Sequence, residues 1–250
     1  MTELTGQKTL ADAWASLVSP SDVVGIKINC IGAPRVSSSL ASIRETIAGL
    51  TGAGVKENNI IVWDRSDREL ARTGLTVNKG TEGLRVMGCS TVSEALLPWV
   101  PGYDKSQFIS FEDGTLKKFR ELIGRGFTAE GSHRDIFNSV TWLWTLIQQG
   151  NEKAKKYNAE IRRLYSAYDD REGIKKIAEE VAHEFDGVEI ENEDRSCFAD
   201  IVTKDITKLV NIAVLKHNED SGVTWATKNI ALGVTTNKVR FHIDYCAKAI

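Results

Sequence analysis

Two short apolar runs separated by an amphipathic helix constrain this chain more than any other feature. "DVVGIKINC" (22–30) and "NNIIVWD" (58–64) are nearly continuous, β-branched-rich stretches, the form a strand takes when both faces of a parallel sheet are covered. Between them Leu40, Ile43, Ile47 and Leu50 recur at three- and four-residue steps, predicting a helix over roughly 39–52. Ser37-Ser38-Ser39 offers N-cap oxygens and "GAG" (52–54) closes the helix. Strand, helix and strand in this span make a βαβ unit, whose crossover is right-handed in nearly all proteins.

The same patterning predicts a helix at 9–18 stopped by Ser19-Pro20, a short helix over 67–73, and strands at 83–88 and 106–111. A weak strand at 187–191 leads into "RSCFADIVT" (195–203). The long apolar run 208–215 then returns the chain to the sheet, and 222–232 follows as helix. From about 115 to 186 the period becomes helical, with stripes such as Ile136, Val140, Leu143 and Ile147 separated by mixed charges that suit solvated helix faces. The expected fold is therefore α/β: a mostly parallel sheet with flanking helices and a helical insertion in the middle. Residues 1–114 and 187–250 supply the two parts of the α/β domain, and 115–186 the insertion or cap.

Composition narrows the function classes. A chain of 250 residues with 42% hydrophobic and 26% charged residues can bury a sizeable core. A net charge of −2 gives no electrostatic reason to expect a nucleic-acid partner. No apolar run reaches the roughly 18–20 residues of a membrane helix, so no membrane partner is expected. "MTELTGQKTLADAW" has no basic n-region or apolar h-region, so the chain as written is expected in the cytoplasm, or in the periplasm if a twin-arginine leader has been removed. Cys30, Cys89, Cys197 and Cys246 lie far apart with no C-x-x-C pair, which disfavours a disulfide framework, a zinc ribbon and a ferredoxin-type cluster loop. The dinucleotide, P-loop and serine-hydrolase signatures are also missing.

Ligands of open parallel sheets bind at the carboxyl ends of the strands, and three predicted strands deliver polar residues there. The first ends in Lys27, Asn29 and Cys30, the second in Asp64 and Arg65, and the third, 208–215, in Lys216 and His217. Each residue alone has a bland explanation: Lys27 snorkels from an edge strand, Asp64 caps a helix, His217 is a satisfied structural histidine. Together they suit recognition of a small anionic or metal-associated ligand. Lys27, Lys216 and Lys228 hold the anion, with Asn29, Arg65, Thr224 and Asn229 as further ligand contacts. His217 serves as acid, base or metal ligand, and Asp64 orients a lysine or the ligand, so that His217, Lys216 and Asp64 form the candidate catalytic set. The tail "RFHIDYC" adds His242 and Cys246, which with His217 form a candidate metal or iron–sulfur site, an alternative that leads to a redox role. A third alternative is a non-catalytic scaffold that assembles through the helical insertion.

"DVVGIKINC" with the following "SLASIRETIAGLTGAGVKENNIIVWD", "VNIAVLKHNEDSGVTWATKN" (210–229) and the "RFH…C" tail resemble the family called domain of unknown function 362. The resemblance covers roughly residues 10–90 and 195–250. It implies an α/β domain of bacterial or archaeal origin, joined in some members to ferredoxin-type clusters or preceded by a twin-arginine leader. It singles out Lys27, Asn29, Asp64, Lys216, His217, Thr224, Lys228 and Asn229; Asn218 stands where members often carry a histidine or another polar residue. Because members usually continue past the point matching Ile250, the resemblance implies a fragment, a truncated product, or a partner chain that completes the domain. A homo-oligomer is the other assembly expected.

Overall fold

The strands of the protein, in chain order, are β1 (Val24–Lys27), β2 (Ile60–Asp64), β3 (Arg85–Gly88), β4 (Tyr103–Ser110), β5 (Arg195–Ala199), β6 (Lys208–Asn211), β7 (Lys216–Asn218) and β8 (Gly222–Thr224). A computed structural model describes residues 1–90, 99–110, 143, 146–147, 150–159, 172, 176, 194–218 and 222–237. Four of the strands form one all-parallel sheet in the order β3-β2-β1-β6. The α/β expectation holds, and the first βαβ unit is the predicted one, with the helix at Leu40–Gly52.

Every residue of β1 and β2 is buried, which accounts for the lack of alternation in their sequences. Successive side chains point to opposite faces. Val24 and Ile26, with Ile60 and Val62, face a cluster built from Ile43 and Leu50 of the long helix and Trp14 of the Leu10–Ala15 helix. The two helices approach closely because Gly49 has no side chain: a Cβ there would lie 2.1 Å from the Trp14 indole nitrogen. Ile61 and Trp63 point the other way, onto Tyr103, Cys197, Ala199 and Ile201. Each fully buried aliphatic side chain contributes about 1.5–3 kcal/mol, so the two clusters together hold the sheet from both sides.

Three elements differ from the sequence reading. The predicted strand 106–111 lies largely in β4, which pairs antiparallel with β5 in a separate two-stranded sheet across the Trp63 face. The predicted strand 208–215 pairs with β1 only as far as Asn211. One further bond, Ile212 N–H to the Lys27 carbonyl at 2.8 Å, precedes the departure of the chain, and β7 and β8 then form an antiparallel hairpin. An apolar run carries no mark of where sheet pairing stops, so periodicity overran the strand. The hairpin also takes residues 222–224 from the predicted 222–232 helix, which begins at Ala226 and ends at Ala231.

Most of the 115–186 insertion lies outside the described residues, as do the weak strand 187–191 and the chain end from 238. Of the stripe named above, Leu143 and Ile147 are described, and both are helical and buried. No helix among the described residues is long and apolar enough to cross a membrane.

Candidate functional site at the carboxyl edge of the parallel sheet

The chain steps outward from β1 to β2 to β3, and β6 later returns to the opposite side of β1. Strand order therefore reverses between β1 and β6, the place where open α/β sheets form a crevice at the strands' carboxyl ends. Lys27 closes β1, Asn211 closes β6 directly beside it, and Asp64 closes β2.

Lys27 is only 1% exposed, and a buried ammonium is several kcal/mol unfavourable unless every proton finds an acceptor. All three do. Its Nζ donates to the Ile28 carbonyl at 2.6 Å, to Asp64 Oδ1 at 2.8 Å and to Asn229 Oδ1 at 3.3 Å. It also lies 5.6 Å from the centre of the Trp63 ring, on the same sheet face. Asp64 is equally engaged: Oδ1 accepts from Lys27 and from the Arg65 amide at 2.8 Å, and Oδ2 accepts from the Cys30 amide at 2.6 Å. Burial alone would raise the Asp64 pKa. The Lys27 charge and these hydrogen bonds outweigh it and hold the carboxyl below its ordinary value. The Cys30 thiol is pushed strongly up, by burial first and by the Asp64 charge second, so it stays protonated and is a poor nucleophile at neutral pH.

From this ion pair an amide relay runs toward solvent. Asn229 Oδ1 also accepts from Asn29 Nδ2 at 3.2 Å, and Asn229 Nδ2 donates to Asn211 Oδ1 at 2.7 Å. Asn211 Nδ2 in turn donates to the Ala226 carbonyl at 2.8 Å. Asn29 Oδ1 accepts from Lys216 Nζ at 3.0 Å. Burial pushes the Lys216 amine below the usual lysine range; the Asp64 carboxylate works against this and the Lys228 charge adds to it. Lys216 is half-buried, and Lys228 and Thr224 are buried. Thr224 stands directly across the hairpin from Lys216 and so shares its face.

The fold thus gathers Lys27, Asn29, Asp64, Lys216 and Asn229 into one connected network, with Thr224 paired to Lys216 and Lys228 within its field. Arg65 contributes its backbone amide, while its guanidinium pairs with Glu69 along the Asp67–Ala71 helix, Nε to Oε2 at 3.1 Å. His217 follows Lys216 on the hairpin and therefore projects from its opposite face, exposed, across from the exposed Val223. Among the described residues no three His, Cys, Asp or Glu side chains come together as a metal site; His242 and Cys246 lie outside them.

Three participants went unread in the sequence. Asn211 is a polar residue inside "LVNIAVL", and an amide in a strand that must be paired when buried was the available signal. Ser38 was read only as a helix-capping oxygen. Ser39 takes the N-cap position without a side-chain bond, and the Ser38 hydroxyl accepts from the Asn29 amide at 2.8 Å and donates to the Ile212 carbonyl, stitching β1 to β6. Gly233 leaves room for the ammonium: a Cβ there would lie 2.7 Å from Lys27 Cε and 2.0 Å from the Asn229 carbonyl oxygen. Compared with protein-family models, with curated proteins and with solved structures, the chain matches none.

Proposed function

We propose that this chain is a small-molecule-binding, enzyme-like α/β domain that holds an anionic ligand at the carboxyl edge of its parallel sheet, between Lys216 and Lys228. The observation that carries this reading is the division of labour among the three lysines. Lys27 has all three protons engaged within the protein, so it supports the site instead of holding the ligand. Lys216 makes a single hydrogen bond among the described residues, to a neutral amide. The Asp64 carboxylate is occupied by Lys27 and two backbone amides. The Lys216 and Lys228 side chains lie close enough for their charges to act on each other, and such a pair favours a bound anion. Thr224 supplies a hydroxyl on the Lys216 face. The resemblance to the domain of unknown function 362 family belongs to the same reading, because the residues it singles out, His217 excepted, are those of this edge.

Thermal unfolding in the presence of inorganic phosphate, sulfate or oxalate tests the proposal. An anion at a hundred times its Kd stabilises by about 2.7 kcal/mol, which raises Tm by roughly 5–10 °C in a chain of this size. Lys216→Ala and Lys228→Ala should each shrink the shift, and the double variant should remove it. A shift of the same size in the double variant refutes the assignment, as does the absence of any shift with all three anions in the unmodified protein.

A further inference from the structure

We propose that Lys216 acts covalently: its amine condenses with the carbonyl of a small oxo acid, such as a 2-oxo carboxylate, whose carboxylate lies against Lys228. This rests on the anion reading above and names the substrate class. A lysine that merely binds anions needs only its charge. An amine that attacks carbonyls must instead be oriented, reachable and free of a carboxylate that would lock it as an ammonium.

Lys216 meets each condition. It starts the β7–β8 hairpin, where pairing to Thr224 fixes its backbone. It is half-buried rather than sealed. Its Nζ is held at 3.0 Å by the side-chain oxygen of Asn29, a neutral acceptor that orients the nitrogen without the charge a carboxylate would bring. Asn29 is itself fixed by Asn229, which the Lys27–Asp64 pair anchors. The one carboxylate of the network is hydrogen-bonded to Lys27 and two backbone amides, so it does not pair directly with the Lys216 amine. Burial lowers the Lys216 pKa; the Asp64 charge opposes it and the Lys228 charge adds to it, and the net effect favours the neutral amine.

The step balances without any further reactant. The Lys216 nitrogen lone pair attacks the carbonyl carbon, a C–N bond forms, and the C=O π pair moves to oxygen. That oxygen gains one proton as the nitrogen loses one, giving a carbinolamine. Its C–O bond then breaks, the hydroxyl takes up a proton and departs as water, and the second nitrogen proton returns to solvent as the C=N bond closes. Thr224 stands on the correct face to donate a hydrogen bond to the departing oxygen.

The experiment is reductive trapping on the intact protein, with peptide mapping by mass spectrometry. Glyoxylate with cyanoborohydride should leave on Lys216 an adduct heavier by the oxo acid less one oxygen atom. Lys216 should be labelled severalfold faster than the exposed Lys153 and Lys155, because it is oriented by Asn29 and its surroundings favour the neutral amine. Formaldehyde with the same reductant reads the amine without the anion. With it, the rate at Lys216 should rise with pH through a midpoint below the usual lysine range. Lys228→Met and Asn29→Asp should slow formaldehyde labelling of Lys216, and circular dichroism checks that both variants are folded. If Lys216 is labelled no faster than Lys153 with either aldehyde while oxalate still raises Tm, the covalent role is overturned and the anion site stands. If formaldehyde labels Lys216 rapidly, glyoxylate shows no preference and oxalate gives no shift, the anion reading is overturned and the substrate class with it.

Discussion

Replacing Asp64 with Asn removes one charge and almost no volume, and the network predicts a large effect. In the protein Asp64 Oδ1 accepts two hydrogen bonds and Oδ2 accepts the Cys30 amide. An Asn can offer only one oxygen, so its NH2 group must face a donor, either the Cys30 N–H or the Lys27 ammonium. Lys27, 1% exposed, then has no counter-charge beside it. Removing one partner of a buried ion pair is destabilising by about 3–5 kcal/mol, a large part of the 5–15 kcal/mol that folded domains typically possess. Urea unfolding should show the midpoint falling by roughly 1–2 M with little change in m.

A double-mutant cycle with Lys27→Met separates this cause from general damage. Lys27→Met leaves the Asp64 charge buried without its ammonium, so it too is expected to be costly. Both changes together remove the unpaired charge and should be less damaging than the sum of the two by about 2 kcal/mol or more. Acid sensitivity gives a second readout. The Asp64 pKa is depressed in the folded state, so its contribution is fully present above the ordinary carboxylate range near 3.8 and is lost as pH falls through the depressed folded value. Asp64→Asn should flatten that acid limb. A loss under about 1 kcal/mol, well short of the range for a broken buried pair, or strictly additive single changes, would refute the reasoning.

Other residues carry predictions of their own. Gly233→Ala places a methyl group into the Lys27 side chain and the Asn229 carbonyl, and overpacking of this kind should cost about 1–3 kcal/mol in a denaturant melt while weakening the anion-induced Tm shift. Asn211→Leu leaves the Asn229 amide and the Ala226 carbonyl without their partner and should destabilise by about 1–3 kcal/mol, again read by urea unfolding. His217→Ala removes an exposed side chain from the far face of the hairpin; stability should change by less than about 0.5 kcal/mol and the anion-induced Tm shift should be retained.

The residues that were easiest to read are those whose partners are near in sequence or whose burial is two-sided. β1, its helix and β2 follow from periodicity alone, because continuous apolar runs and a three-to-four step each have one inexpensive solution. The grouping of Lys27, Asn29 and Asp64 was also legible, since the carboxyl ends of parallel strands share an edge whatever the loops do; Lys216 reaches that edge by another route, from the β7–β8 hairpin, because β6 ends at Asn211. What each does there was not legible. The sequence cannot say that Lys27 has three acceptors, one of them an amide from residue 229, and so the role of anion holder was assigned to a lysine already saturated. Lys216 and His217 were both assigned to the site, with different roles, but a hairpin turns adjacent residues to opposite faces, and only the register of β7 on β8 fixes which one meets Asn29.

The third acceptor of Lys27 lies 202 residues downstream of it. A nascent chain that has made β1 and β2 therefore carries an ammonium short of one partner until Asn229 has been synthesised and docked. Peeling the Ala226–Ala231 helix away from the finished protein reopens the same deficit. That helix is only six residues long, yet the buried, hydrogen-bonded amide of Asn229 should exchange with solvent more slowly than so short a helix alone would allow. The hydrogen bond thus ties strand β1 to a helix from the far end of the described chain, and loss of either should weaken the other.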